Sequence, residues 1–548
     1  MIKLQTILII LFLFFWAFHI LRRNFFWLYF WQKRGSRFNR FLNGLKENPR
    51  VLLTKTSFLA ILFLIFAPFF GKINFLFEGG VFFIYLIFGL YSIYLFFASI
   101  LIKDFSFHFF LVPKIKRDVV FLFIFIFLIE SLLVGFALKF FLGGELYIPL
   151  VLFLLFELFF PLIFILVIFF YYIVSFLPNK FFEIKARKKI KEKKNLITIG
   201  ICGSYGKTLT KEFLYQILKE KFNVLKTEGG GPELKDITRL INKKLTKNHQ
   251  LLIFEISAYK RGEISKICKV LNPKIIILTG ISDDHIALFG NFKNVLNTNF
   301  EAVNSLKEDG VAILNVEDKE IQKLYQRTVC KKYGYSTSEE KGDVFAKDIK
   351  IEKERLSFLV VSPWGKEEII LNFSFPEYIE NFLGASVCAL ELGMNLREIK
   401  ERAKNLNLPQ TFLEKIITKK GPVIIDDTSS HNFKSFLLAL DYLKSFKAKK
   451  KIIIASPILE LGKEAPTLHN SIGKKIGEVC DLAIFTLPLY LKEIKFGAVS
   501  SGMKEKNIYF SSNPREILKI IKPFLKKNTL ILLEGEVPAI LRKILTEL

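Results

Sequence analysis

Hydrophobic side chains crowd the first third of this chain and thin out after it. Five stretches, near 4–21, 52–71, 80–102, 119–141 and 147–177, are apolar over lengths that suit a bilayer crossing, which takes about 20 residues. The first is too long for the apolar region of a signal peptide, and Arg22-Arg23 follow it with no small-residue cleavage site. The fifth holds Glu157 and Pro161, which predict a kinked, tilted or re-entrant helix. From residue 196 onward the pattern changes. Short buried runs rich in isoleucine and valine alternate with amphipathic stretches, as in α/β domains with a mostly parallel sheet. The pattern predicts an α-helical membrane domain at 1–177, a linker at 178–195, and α/β domains at 196–410 and 411–548. In the last of these, Val423–Ile425, Lys451–Ala455, Leu482–Thr486 and Leu530–Glu534 read as strands of a Rossmann-like sheet.

Charge adds an orientation. The first apolar stretch is followed by Arg22, Arg23, Lys33, Arg34, Arg37 and Arg40, and the third by Lys103, Lys114, Lys116 and Arg117. The fifth is followed by the basic segment 178–195, whereas the alternate connections are short and hold Lys72 as their one basic residue. Basic loops stay in the cytoplasm. Five spans with the N-terminus outside satisfy that rule at every loop, and they put both α/β domains in the cytoplasm at the plasma membrane. Lys and Arg number 79 against 51 Asp and Glu, a formal net charge of +28. Beside an apolar block this surplus points to anionic lipid rather than to nucleic acid. The segment Trp27–Leu45 is expected to lie along the cytoplasmic interface, its aromatics among headgroups. Glu130, Lys139 and Glu157 fall in or near spans and are candidates for a polar intramembrane site. Lys139 is placed to snorkel, and the two glutamates are placed to pair with it. The five cysteines form no C-x-x-C pair, which suits a reducing compartment and offers no structural zinc site.

The chemistry begins at LITIGICGSYGKTLTKEFLYQILKE, which reads as a buried strand, a glycine loop and an amphipathic helix. Glycines at 200, 203 and 206 let the backbone curl so that its N–H groups face phosphate oxygens. Lys207 neutralises phosphate charge, the Thr208 hydroxyl suits Mg²⁺, and the helix presents its positive end.

This loop is not the common G-x-x-x-x-G-K-[ST], because Ile201 occupies the first-glycine position. It resembles the G-x-x-G-x-x-G-K-[ST] loop of the Mur ligase family, MurF type. The resemblance continues in chain order through NVLKTE (Asn223–Glu228), EISAYKRGEI (Glu255–Ile264), TGISDDHIALFG (Thr279–Gly290), LNVED (Leu314–Asp318), Asp426-Asp427-Thr428 with Asn432 and Ser435, and LELG (Leu459–Gly462) with His469 and Gly473. It covers roughly 196–548. Six motifs in register carry far more weight than any one of them.

The resemblance implies a P-loop Mur-ligase central domain and a smaller C-terminal domain with ATP between them, closing to complete the site. It implies ATP-dependent amide-bond formation on a cell-wall precursor through an acyl phosphate. By the same resemblance Gly203, Ser204, Gly206 and Lys207 hold the phosphates. Thr208 and Glu255 share Mg²⁺, and His285 serves a second metal. Asn381 lies on the adenine side and Asp427 holds the ribose. With a membrane block in place of the family's first domain, a lipid-linked or nucleotide-linked muropeptide is the expected acceptor.

Several positions depart from the family. Asn299 stands where a carbamylated lysine is usual, Phe412 where an arginine reaches phosphate, and Glu377 where a histidine precedes Asn381. Tyr205 replaces a loop asparagine, and Glu534-Gly535-Glu536-Val537 replaces K-G-S-R. Losing one charge-stabilising group typically costs about 10²–10³ in rate. The alternatives are therefore a nucleotide-binding protein with weakened catalysis, or a ligase making another amide-linked polymer at the membrane.

Overall fold

The structure, a computed structural model, describes residues 23–24, 26–28, 30–31, 37–47, 126, 129–130, 147–229, 231–282, 286–338, 341–352, 355–410, 412–419, 421–429 and 432–548. They fall into two compact units. One lies within 1–176 with 511–520 and 538–544. The other comprises 177–510, 521–537 and 545–548.

In the first unit, helix α1 (Phe38–Glu47) packs beside the apolar part of helix α2 (Tyr147–Lys191). Trp27, Trp31 and Phe41 are fully buried with Phe160 and Phe164. The segment expected to spread its aromatics among headgroups instead buries these three in protein, because Phe156, Phe160 and Phe164 present a ring-lined stripe at helical spacing. Glu130 is buried and paired among the described residues. Arg23, expected in a loop, lies 2.7 Å from its carboxylate and stacks 3.7 Å over the Phe160 ring, and the Asn24 amide donates at 2.6 Å. Lys139 and most of the first four apolar stretches lie outside the described residues.

Among the described residues, one helix is long and apolar enough to cross a membrane. It is α2, which runs unbroken through Pro161 and Pro178 and takes in most of the segment read as a linker. The reason lies in the packing of its basic end. Lys189 donates to the carbonyls of Ile241 and Asn242 at the end of helix α4 (Leu234–Lys244; helix α3 is Lys207–Leu218). Lys193 does the same at Thr246 and His249, and buried Glu183 pairs with Lys266 at 2.9 Å. Cations at a helix C-terminus are favourable, so Lys189 anchors the basic end of α2 on α4.

The second unit contains two sheets. In the first, β1 (Ile197–Cys202) lies between β3 (Leu251–Glu255) and β4 (Ile275–Leu278), all parallel. β2 (Val224–Lys226) flanks β3, and β5 (Val311–Asn315) and β6 (Lys331–Ser336) continue beyond β4. The antiparallel run β7 (Val344–Glu352), β8 (Arg355–Ser362) and β9 (Gly365–Leu371) extends that edge. The second sheet has the order β10-β11-β15-β12-β13-β14, from Glu414–Ile417, Val423–Asp427, Thr529–Glu534, Lys450–Ala455, Leu482–Phe485 and Ile508–Phe510. Only β10 runs antiparallel in it. β1, β3 and β4 are almost wholly buried, which is why they read as continuous apolar runs rather than alternating ones. Ligands on such sheets gather at the carboxyl ends of the strands, and β1 and β3 end at Cys202 and Glu255.

Candidate active site

Two glycines shape the turn out of β1. Gly203 has φ 139°, and a Cβ there would lie 2.3 Å from Thr279 Oγ1. Gly206 has φ 77°, and its Cβ would lie 2.5 Å from Asn381 Nδ2. Both are left-handed conformations that side chains disfavour, and both sit against another segment. Helix α3 begins at Lys207, so its first-turn amides have no partner within the helix. The Lys207 ammonium folds back to the carbonyls of Gly203 and Ser204, at 2.6 and 3.0 Å. A cleft of about 810 Å³ opens over this loop. One wall carries Glu255, Asn299, Glu380 and Asn381, and the other Phe412, Ser429, Asn432 and Lys434.

Thr208 Oγ1 donates to Glu255 Oε2 at 3.1 Å, so the two expected magnesium ligands meet. Hard oxygen donors of this kind suit Mg²⁺, which is usually held by one or two carboxylates together with substrate phosphates. Glu255 is fully buried and has further partners: Lys211 at 2.7 Å and the amide of Gly231 at 3.2 Å. The sequence reading missed Lys211. Its signal was a lysine on the apolar face of an amphipathic helix, a position where a buried charge requires a partner. No cluster of three or more His, Cys, Asp or Glu able to hold a metal occurs among the described residues. His285, expected at a second metal, lies outside them.

Asn381, on helix α7 (Ile379–Glu391), donates to the Gly206 carbonyl at 3.1 Å and to Thr210 Oγ1 at 3.0 Å. (Helices α5 and α6 are Glu263–Leu271 and Phe292–Asn304.) Its amide is thus committed to the phosphate loop. Beside it, burial pushes the Glu380 carboxyl above the usual carboxylate range, while the Asn315 amide donates to it at 2.7 Å. Burial raises Glu377 in the same way.

Asp427, expected at the ribose, does not line the cleft. β11 runs two residues past its apolar stretch, so Asp426 and Asp427 are strand residues, both buried. Asp427 Oδ1 accepts from the Leu413 amide at 3.2 Å, and its strand position pairs with Glu534 on β15. Burial, reinforced by Asp427 and Asp426, raises the Glu534 carboxyl well above its ordinary range. Ser429 and Asn432, just beyond on the same loop, reach the cleft instead.

Asn299, on α6, lines the cleft but turns inward. Its amide donates to the Val295 carbonyl at 2.9 Å, and its oxygen lies 3.3 Å from Cys202 Sγ. Burial raises the Cys202 thiol to about 12, so it remains a thiol. Glu301, two residues further on, receives the Gly262 and Ser265 amides at the start of α5, which makes it a cap. Lys434, on helix α8 (Phe433–Ser445), donates to the Tyr205 hydroxyl at 3.0 Å and lies 4.3 Å over its ring. Lys207 is therefore not the one cation in the cleft.

A strand–glycine loop–helix junction facing a second α/β sheet across a cleft defines a two-domain nucleotide-binding architecture. Residues 201–389 match the Mur ligase middle domain, and 413–537 match the Mur ligase glutamate ligase domain. The chain carries the middle and C-terminal domains of the Mur ligases.

Among similar proteins, the UDP-N-acetylmuramoyl-tripeptide--D-alanyl-D-alanine ligase of Haemophilus influenzae is 28% identical over 298 residues, 53% of this chain and 64% of that one. The chain thus spans just under two thirds of that relative. The Bacillus subtilis ligase of the same name is 25% identical, covering 62% of this chain and 72% of its own length. Among solved structures, MurF from Acinetobacter baumannii aligns with a TM-score of 0.60 at 22% identity, over 67% of this chain and 80% of that one. MurF from Thermotoga maritima, in complex with ADP, gives 0.59 at 22%, over 67% and 83%.

Proposed function

We propose that this chain is an ATP-dependent amide ligase of the MurF type that joins an amine to the carboxylate of a peptidoglycan precursor. The observation that carries the reading is the convergence of the glycine loop, Lys207 and the Thr208–Glu255 pair in one cleft walled by both domains. In the proposed reaction an acceptor carboxylate oxygen attacks the γ-phosphorus and ADP leaves. The amine then attacks the acyl carbon and phosphate leaves. Lys207 turns from its loop carbonyls to the phosphates, and the α3 amides receive phosphate oxygens. Thr208 and Glu255 would hold Mg²⁺, which would offset phosphate charge. The names of the relatives specify a nucleotide-linked muramoyl tripeptide and D-alanyl-D-alanine. We adopt a nucleotide-linked muropeptide over a lipid-linked one for this chain.

The reading is tested by phosphate release from ATP by the purified chain. Release that requires both UDP-N-acetylmuramoyl-tripeptide and D-alanyl-D-alanine supports it. ATP binding with no acceptor-dependent release favours the second reading, a nucleotide-binding protein with weakened catalysis. Asn299 and Phe412 favour that second reading, since neither brings a charge to the cleft.

We also propose a multi-pass anchor in the plasma membrane, with the ligase domains in the cytoplasm. The basic loops and the long apolar helix α2 support it. Labelling of single cysteines introduced at 71–79 from outside and at 33–50 from inside is expected. The reverse pattern excludes this topology.

A further inference from the structure

Among the described residues that line the cleft, two are basic: Lys207 in the phosphate loop and Lys434 on the facing wall. A nucleoside triphosphate brings about four negative charges, and in a closed cleft each of them needs a positive or hydrogen-bonding partner. Lys207 and the α3 amides face the phosphates from the loop side. On the C-terminal wall, Phe412 offers no charge, and Ser429, Asn432 and Ser435 offer neutral groups. Lys434 alone of the described residues on that wall carries a cation. Its ammonium is held over the loop by Tyr205, through a hydroxyl at 3.0 Å and a ring face at 4.3 Å, across 229 positions of sequence. The Tyr205 ring is itself braced, since a Cβ on Gly280 would lie 2.2 Å from its Cζ. The charges of Glu380 and Asp318 also act on this ammonium and stabilise its charged form.

We propose that Lys434 is the phosphate-contacting cation of the C-terminal domain, and that Tyr205 positions it over the loop. This deepens the ligase reading and rests on it. As the acceptor oxygen–phosphorus bond forms and the bond to the ADP oxygen breaks, the electron pair leaves with ADP. Lys434 offsets charge on the phosphate chain and transfers no proton. Because Lys434 and the loop come from different domains, the contact also makes closure of the cleft depend on the phosphates.

The test compares binding of adenosine and of Mg²⁺–ATP to the full-length chain by calorimetry. Lys434 is exposed on the first turn of α8, so Lys434→Met removes the charge with little effect on packing. A charge-assisted contact predicts that ATP affinity falls by about 10–100-fold while adenosine affinity is unchanged. Lys434→Arg is expected to restore most of the ATP affinity, and Tyr205→Phe to lose a few-fold. If Lys434→Met weakens adenosine and ATP equally, or leaves both unchanged, the proposal is overturned. A wild-type chain that binds no ATP removes the ligase reading itself. Normal wild-type binding with an unaltered Lys434→Met variant removes only this inference.

Discussion

Lys211 places its ammonium 2.7 Å from the Glu255 carboxylate, and solvent reaches neither side chain. The carboxylate proposed as a magnesium ligand is thus already balanced by a fixed cation, which also donates to the Gly229 carbonyl at 2.7 Å. Removing one member of such a pair leaves a buried charge without a counterpart, at a cost of about 3–5 kcal/mol. Lys211→Met is expected to destabilise the protein by that order in denaturant unfolding. The double variant Lys211→Met/Glu255→Gln is expected to recover much of the loss. Equal stabilities for wild type and the single variant would show that the pair is not buried as described.

Lys207→Ala is expected to weaken ATP binding strongly, because the loop loses its own cation. Some phosphate affinity should persist through Lys434. Calorimetry of the single and double variants measures the two contributions, and a double variant no weaker than Lys207→Ala would leave Lys434 without a part in binding.

Asn299 bonds its own helix and the Cys202 thiol, so it brings no charge to the cleft. Asn299→Lys puts back the carbamylatable side chain usual in the family. The expected result is a rise in turnover larger than any change in ATP affinity, because a bridging carboxylate acts on charge that moves in the transition state. Turnover equal to that of an ordinary Mur ligase in the wild type, with no gain in the variant, would mean other residues perform this role.

Glu534 gives a pH dependence whose sign can be worked out. Its folded-state pKa is raised by burial and by the neighbouring aspartates. Between the unfolded value and that raised value the native state binds more protons than the unfolded state, so stability falls as pH rises through this window. Glu534→Gln keeps the shape without the ionisation. It is expected to melt higher than wild type at neutral pH and to lose this part of the pH slope. A variant that melts lower at neutral pH would show that the ionised carboxylate is stabilising.

The elements that were legible are those whose signal is local. The glycine loop, the strands from Val423, Lys451, Leu482 and Leu530, and the Thr208–Glu255 meeting follow from buried runs and motif order. What the sequence hid are pairings between distant positions. Arg23 with Glu130, Lys211 with Glu255 and Lys434 with Tyr205 are set by packing, and nothing in local periodicity connects them. The burial of Asp427 was not legible, because its motif gives an identity but not a direction. Its strand runs two residues further than the apolar pattern, and the side chain is buried as a result. The basic segment after 177 was read as a linker because charge runs are usually solvated. Here Lys189 donates to the carbonyls at the end of α4, Lys193 donates to the loop just beyond it, and the helix runs on to Lys191.

The central claim is that this cleft transfers the γ-phosphoryl group of ATP to a carboxylate. The most direct measurement uses a UDP-muramoyl tripeptide whose terminal carboxylate carries heavy oxygen, together with ATP and D-alanyl-D-alanine. Transfer through an acyl phosphate predicts that the released phosphate contains one heavy oxygen per amide bond formed. Phosphate released without the label, or at the same rate when the acceptor is omitted, would contradict the account.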